Sequence, residues 1–409
     1  MRLPIPRQAA TDGKAALLVL LFLAACAAPP SPPIQPLPSA PTPTTAPPEA
    51  PAIAPPVSVT PFAVSKWEML PDWQQVDLQQ SWAAFLQSCH ALKNKPDWRE
   101  VCAHSATLAQ PGNDVLRGFF EEHFTPYQVF NPDGSEQGLV TGYYEPRLRG
   151  SRVPTSRFRY PLYAQPDDLL TIDLSALYPQ LKDLRLRGRV EGKRVVPYFD
   201  RSEIDQGKGA LQGRELFWVD DAIDLFFLQI QGSGRIELPD GSLVKVGYAD
   251  QNGHPYVSIG KKLIEMGELQ SGQVSMQSIK KWAQQHPEKL NALLDKNPSY
   301  VFFRELPDTL SAPLGALGVP LTPEYSIAVD ARTTPLGAPT FLATTYPNSN
   351  APLNRLMMAQ DTGGAIRGAV RADFFWGFGE QAGAQAGKMK QSGQMWVLLP
   401  RGMTPPATP

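Results

Sequence analysis

Apolar positions recur at helical spacing early in the chain and in short strand-like runs later. Leu78, Trp82, Phe85, Leu86 and Cys89 share one helical face, and Trp98, Val101 and Cys102 share the face of a second helix that starts near Asp97. The break at Asn94-Lys95-Pro96 makes that pair antiparallel. The pattern predicts helices from about residue 63 to 125, ending in Val115–Phe120. From Gly138 the texture changes to strands cut by glycine and proline: Leu139–Tyr144, Leu216–Val219, Asp224–Ile230 and Ser242–Val246. Pro239-Asp240-Gly241 reads as the turn of a hairpin between Ile236–Leu238 and Ser242–Val246. Helices return at 258–266, 275–286 and 288–296, with Ser275 as N-cap of the second and Asn297-Pro298 as the stop of the third. Strands follow at Tyr300–Phe303, Ser326–Asp330, Thr340–Ala343, Leu356–Asp361 and Met395–Leu399, a spacing that suggests a barrel or sandwich.

The N-terminus departs from this globular pattern. Arg2, Arg7 and Lys14 precede an apolar run, Ala15–Ala25, too short to span a bilayer and the right size for a signal peptide. The run ends in Leu23-Ala24-Ala25-Cys26, which looks like a lipobox with Cys26 as the lipidated residue; the alternative is an ordinary cleavage site beside a cysteine. Ala27 after the cysteine favours sorting to the outer membrane. Proline is concentrated here: 14 of the 43 lie between Pro29 and Pro61, so residues 26–62 read as an extended tether. About 40 residues at roughly 3.1 Å each reach on the order of 100 Å.

Of three cysteines, Cys89 and Cys102 remain behind the signal segment, where an oxidising compartment makes them a candidate disulfide. Two buried free thiols are an equal reading. So few cysteines make a cysteine-ligated metal site improbable. A length of 409 residues suggests two or three domains, and a net charge of -1 argues against nucleic-acid binding.

The common signatures of enzyme chemistry are missing. The chain has no Gly-x-Ser-x-Gly elbow, no His-Glu-x-x-His helix, no phosphate loop and no dinucleotide fingerprint, and its five histidines are scattered. Three aspartates stand out instead. Asp330 and Asp361 end apolar strands, and Asp373 precedes Phe374, Phe375, Trp376 and Phe378. Any one of them alone is more simply a turn or cap residue. Three together, with Gly363 and Gly364 allowing close backbone approach to a ligand, shift the balance toward a site. The aromatics are either plain core or an apolar wall that raises a carboxyl pKa, and a carboxylic acid near neutral pH can protonate a glycosidic oxygen.

The chain resembles the membrane-bound lytic murein transglycosylase A family, with its C-terminal three-aspartate domain. The matching stretches run from Gly138 to Leu398 and include Thr141–Pro146, Tyr160–Tyr163, Phe227–Gly234, Gly247–Tyr256, Ser258–Lys261, Asn297–Phe303, Asp361–Gly368 and Ala372–Phe374. The resemblance implies a mainly β fold: a double-psi β-barrel with N-terminal helices, built from residues 63–167 and 298–400, and a second small β-barrel inserted at 168–297. Residues 401–409 read as a disordered tail. It implies Asp373 as the single acid and base, with Asp361 orienting or tuning it and Asp330 as the third aspartate of the name. Gln231, Ser233, Gly234, Gly363 and Gly364 are the expected groove residues, with Tyr143 and Tyr144 stacking on sugars; a core or turn role is as good a reading for Gln231, Ser233, Gly234 and the two tyrosines. No cofactor is implied. The expected partners are peptidoglycan glycan strands, the outer membrane through the lipid anchor, and the cell-wall synthesis machinery, at the periplasmic face. The implied reaction cleaves the bond from N-acetylmuramic acid to N-acetylglucosamine and forms a 1,6-anhydro sugar. The rivals are a peptidoglycan hydrolase with Asp361 as base, and a peptidoglycan-binding lipoprotein without activity.

Overall fold

The chain enters the structure, a computed structural model describing residues 61–181 and 184–406, through strand β1 (Phe62–Val64). The signal segment, Cys26 and all but the end of the tether lie outside the described residues. Phe62, which composition assigns to the tether, is already paired with Val129. Helices α1 (Gln79–Leu92), α2 (Pro96–Ser105) and α3 (Asn113–His123) follow. Pro96 sits in the first turn of α2, where its missing N–H has no intrahelical partner to lose. Cys89 and Cys102 are joined in a disulfide between α1 and α2. Trp82, Phe85, Phe119, Phe120 and Phe124 pack mostly edge to face beneath these helices.

The expected helical stretch ends at His123, because the chain passes directly into β2 (Phe124–Val129). Then come β3 (Gly138–Glu145), β4 (Arg147–Ser151) and β5 (Tyr160–Tyr163). A small three-stranded arm follows: β6 (Leu170–Thr171), β7 (Arg187–Glu191) and β8 (Arg194–Pro197). The next elements are α4 (Arg201–Asp205), β9 (Glu215–Val219), α5 (Ala222–Gln231), β10 (Ser233–Glu237) and β11 (Leu243–Gln251). Helices α6 (Ile259–Glu265), α7 (Met276–Gln285) and α8 (Leu290–Leu294) lead to β12 (Val301–Glu305). The last part holds β13 (Ser326–Val329), β14 (Pro339–Thr345), β15 (Pro352–Asp361), β16 (Arg371–Phe378), α9 (Gly379–Ala386) and β17 (Lys390–Pro400).

Six strands close on themselves in the order β17-β14-β15-β13-β16-β3, because β17 pairs with β14 through Gln394–Val397 and with β3 through Lys390–Gly393. Two of the pairings, β3 with β16 and β13 with β15, are parallel. Strands β2 and β1 extend the ring outward from β17. Helix α1 lies on β15, where Ser81 Oγ donates to the Leu356 carbonyl at 2.8 Å and the Gln360 amide donates to the Ala84 carbonyl at 2.9 Å. A second sheet, ordered β12-β11-β10-β4-β9-β5, is drawn round by a bridge between Ala164 and Phe303. Glu145 at the end of β3 is buried and paired with Arg235 of β10 at 2.9 Å, tying the ring to the second sheet.

Several expectations need correction. Asp224–Ile230 is not a strand but the body of α5. A continuous apolar run fits a buried helix as well as a strand, and the ends decide. Asp221 accepts from the amides of Ile223 and Asp224, and Gly232 ends the helix at φ +77°. Both sides of α5 are buried, Phe226 and Phe227 among the helices α6–α8 and Leu225 and Leu228 against the second sheet. The 288–296 helix is shorter, a single 3-10 turn at Pro287–Lys289 followed by α8. The second sheet is wider than residues 168–297, since β4, β5 and β12 all pair within it. Nor is the start of the tail loose, for the Arg401 guanidinium donates to the Glu121 carbonyl at 2.8 Å and its amide to the His123 carbonyl at 2.9 Å. The Ser275 N-cap is present, its side chain accepting from the Ser278 amide.

Candidate active site

Strand pairing puts the first carboxylate in place. Asp373 lies on β16 directly beside Thr141 of the parallel strand β3 and Ala328 of β13. The Thr141 hydroxyl donates to Asp373 Oδ1 at 2.6 Å, and Arg371 Nη2 donates to the same hydroxyl at 2.8 Å. Burial pushes the Asp373 carboxyl above the usual carboxylate range, against the opposing pull of the Thr141 hydrogen bond and the Arg371 charge. Both Asp373 and Asp361 keep a partly open face.

Asp361 ends β15 and is held by the backbone. Its Oδ1 accepts from the amides of Ala316 and Thr362, each at 2.9 Å, and its Oδ2 accepts from the Tyr143 hydroxyl at 3.0 Å. Burial raises its pKa to about 6, opposed by those three hydrogen bonds and reinforced by the nearby charge of Asp373. The Tyr143 phenol is pushed well above its ordinary value by burial and by the charges of both carboxylates. Leu321, Ala328, Ile366 and Phe375 pack with Tyr143 into the apolar wall behind the pair. The aromatic run after Asp373 thus divides: Phe375 walls the site, while Phe374 and Trp376 point into the main core.

Asp330 plays a different part. Arg332 grips it with Nε on Oδ1 at 2.9 Å and Nη2 on Oδ2 at 2.6 Å, and the Gly368 amide donates to Oδ2 at 2.9 Å. Burial raises its pKa, but these donors outweigh burial and leave the carboxyl below its usual range. It is 1% exposed, so it latches the segment after Asp361 and does not face the groove.

The groove beside Asp361 holds about 430 Å³. One side is built by Gly315, Thr362, Gly363 and Gly364, the other by Gln231, Ser233, Tyr248, Gln251 and Arg304. Of the expected residues, Gln231 and Ser233 line it, although the Gln231 side-chain Oε1 also accepts the Tyr144 amide at 3.0 Å and so links α5 to β3. Gly234 does not line it: a Cβ there would meet Leu228 Cδ1 at 2.4 Å, so this glycine serves close packing. The two tyrosines point apart, as successive strand residues must. Tyr143 is 7% exposed with its ring against Phe375, which makes it a prop for Asp361 and not a platform for sugars. Tyr144 packs over Gly383 and turns its hydroxyl toward Met276, beside a separate cavity of about 360 Å³ that contains neither aspartate.

The sequence reading passed over Thr141, Arg371, Arg185, Tyr248 and Arg304. Thr141 and Arg371 sit inside or beside the family motifs, and their signal is a polar residue on the acid's own strand or on the strand paired with it. Arg185 reaches across from the small arm to the Thr362 hydroxyl at 3.2 Å, a contact with no local signature. Among the described residues no group of three or more His, Cys, Asp or Glu is arranged to hold a metal ion.

The chain is similar to known proteins in sequence and in fold. Residues 139–304 match the family described as the MltA specific insert domain, and residues 325–399 match the 3D domain. The membrane-bound lytic murein transglycosylase A of Escherichia coli K12 is 34% identical over 280 residues, covering 66% of this chain and 68% of the relative. The crystal structure of MltA from Neisseria gonorrhoeae superposes with a TM-score of 0.73 at 43% identity, over 85% of this chain and 94% of that one. The structure of E. coli MltA with bound chitohexaose matches with a TM-score of 0.63 at 28% identity, over 85% and 95% of the two chains. The chain belongs to the membrane-bound lytic murein transglycosylase A family.

Proposed function

We propose that this protein is a lytic transglycosylase that cleaves the MurNAc-β-1,4-GlcNAc bond of peptidoglycan and leaves 1,6-anhydroMurNAc ends, with Asp373 as acid and then base. One observation carries the reading: Asp373 is an ionisable group held on barrel strands, its pKa raised by burial, and its charge acts on Asp361, which lines a groove able to take a glycan strand. The sugar bound in the E. coli relative supports a carbohydrate occupant for this groove.

The neutral Asp373 carboxyl gives its proton to the glycosidic oxygen, and positive charge develops at the muramoyl anomeric carbon as the bond breaks. The Asp373 carboxylate then takes the proton of the muramoyl C6 hydroxyl, whose oxygen bonds to that carbon. One bond breaks, one forms, the proton count is restored and no water is consumed. The nucleophile belongs to the substrate, so a second catalytic carboxylate is unnecessary, unlike in ordinary glycosidases. Asp361, anchored by two amides and Tyr143, tunes Asp373 through its charge.

The six-strand ring with its two parallel pairs supports the double-psi β-barrel reading, with the α1–α3 helices on one side. We place the inserted domain at about Arg147–Glu305 on the pairing of the second sheet. The Leu23–Cys26 motif supports a lipid anchor at Cys26 in the outer membrane, facing the periplasm. Among the described residues no helix is long and apolar enough to cross a membrane.

Mass spectrometry of murein sacculi digested by the purified protein tests the activity. Anhydro ends support it. Reducing ends would instead make it a hydrolase, and intact glycan a binding lipoprotein.

A further inference from the structure

We propose that Arg371 and Thr141 are positioning residues that hold the acid proton of Asp373 on Oδ2, so that both proton transfers pass through that one oxygen. The inference rests on Asp373 being the acid, and it adds two residues that act through it.

The polarity of the chain Arg371, Thr141, Asp373 follows from counting hydrogens. A guanidinium has donors only and stays protonated, so Arg371 Nη2, 2.8 Å from Thr141 Oγ1, donates to it. The hydroxyl has a single hydrogen of its own, and Asp373 Oδ1 lies 2.6 Å away. That hydrogen therefore points at Oδ1. In the neutral acid Oδ1 is then the accepting oxygen, and the proton sits on Oδ2. The reverse arrangement, with the proton on Oδ1 and directed at Thr141, would turn the hydroxyl hydrogen away from the one acceptor it has among the described contacts.

The arrangement is rigid on the arginine side. Arg371 Nη1 also donates to the Leu139 carbonyl at 3.2 Å and to the Ala372 carbonyl, which pins the guanidinium across β3 and β16. The parallel register pairs Arg371 with Leu139 and Asp373 with Thr141, so the same two strands set every member of the chain. Lysine has no forked donor set with which to make all three contacts at once.

The chemistry uses this fixed polarity twice. Oδ2–H protonates the glycosidic oxygen, and the bond to the anomeric carbon breaks. The Thr141 hydroxyl stays on Oδ1 and stabilises the new carboxylate. Oδ2 then accepts the C6 hydroxyl proton as the C6 oxygen bonds to the anomeric carbon. Asp373 ends as it began.

Three charged or titratable groups face Asp373: Arg371 on its own strand, Tyr143 on β3 and Asp361 at the end of β15. Removing the Thr141 donor while keeping the other three isolates its effect. The test is the pH profile of kcat on purified sacculi for the wild type and for Thr141→Val, Thr141→Ser, Arg371→Ala and Arg371→Lys, with chitohexaose affinity measured for each. A group that donates to the carboxylate lowers its pKa. Thr141→Val and Arg371→Ala should therefore move the alkaline limb of kcat to higher pH, by roughly one unit for Thr141→Val. Thr141→Ser should restore the wild-type limb, and Arg371→Lys should restore part of the shift. A lowered kcat with an unmoved limb in both Thr141→Val and Arg371→Ala, or a limb moved to lower pH, overturns the proposal. Loss of chitohexaose binding in Thr141→Val leaves the decision with Arg371→Ala. If Asp373→Ala keeps full turnover, the parent reading fails instead.

Discussion

The Tyr143 hydroxyl donates to Asp361 Oδ2 at 3.0 Å, linking the third strand of the chain to the end of the fifteenth. That contact is one of three holding a buried carboxyl whose pKa stands near 6. Tyr143→Phe removes it and leaves the ring in place against Phe375. The Asp361 pKa should rise further, by about one unit or less, and a carboxyl-resolved NMR titration reads it directly. An unchanged or lowered pKa would contradict the assignment of the hydrogen bond.

The raised Asp361 pKa also predicts a stability profile. In the folded state this group holds its proton up to about pH 6, whereas the unfolded chain releases it near the ordinary value of 3.8. Between those values the native state binds more protons, so stability falls as pH rises through that window. Asp361→Asn should flatten this slope and raise unfolding stability at pH 7 by about 1–3 kcal/mol. Denaturant melts at pH 4, 5, 6 and 7 check it.

Asp330 should behave in the opposite sense. Its folded pKa is lowered, so its contribution is present at neutral pH and lost as pH falls through the carboxylate range. Asp330→Ala leaves Arg332 and the Gly368 amide without this acceptor, which should cost about 2–4 kcal/mol at pH 7 and less at pH 3. A cost that is equal at both pH values would argue against the latch.

The groove carries Arg185 and Arg304, and among the described residues Asp361 is the one acidic group lining it. A glycan strand bearing carboxylates gains from those cations, while a neutral one does not. Arg304→Glu should raise KM for sacculi by about fivefold, more at low salt, with kcat and chitohexaose affinity nearly unchanged. Equal losses on sacculi and chitohexaose would mean that the arginine only shapes the groove.

The disulfide between Cys89 and Cys102 closes a short loop, with a sequence separation of 13. Replacing both cysteines by alanine should lower stability by about 2–3 kcal/mol by freeing the unfolded chain. Cleavage well below the melting temperature should survive, since neither sulfur touches the groove.

How much of this was visible in the residues depends on the range of the interactions. Strand ends at Asp361 and Asp330 were legible because the apolar runs before them are long and terminate sharply. Helix α5 was not, since Leu225–Leu228 is an unbroken apolar run and only Asp221 and Gly232 mark the ends of the helix. The motif around Phe227–Gly234 was recognisable, yet it hid two jobs: Gln231 faces the groove, whereas Gly234 exists to let Leu228 approach. Asp330 ends an apolar strand as Asp361 does, and only its partners Arg332 and Gly368 show where its charge is spent. Arg185 meets the site from the small arm and Arg304 from the second sheet, and local sequence carries no sign of such a meeting.

The closing strand β17 has a consequence for when the enzyme can exist at all. Thr141 and Asp373 are 232 positions apart, and the strands that carry them are joined to the rest of the ring through Lys390–Val397. Pairings this distant form late. Until the final strand docks, β3 and β14 present open edges and the acid has no enclosed wall. A chain clipped before Lys390 therefore leaves the ring open between β3 and β14. The last strand to be made is thus the one that completes the enclosure of the acid.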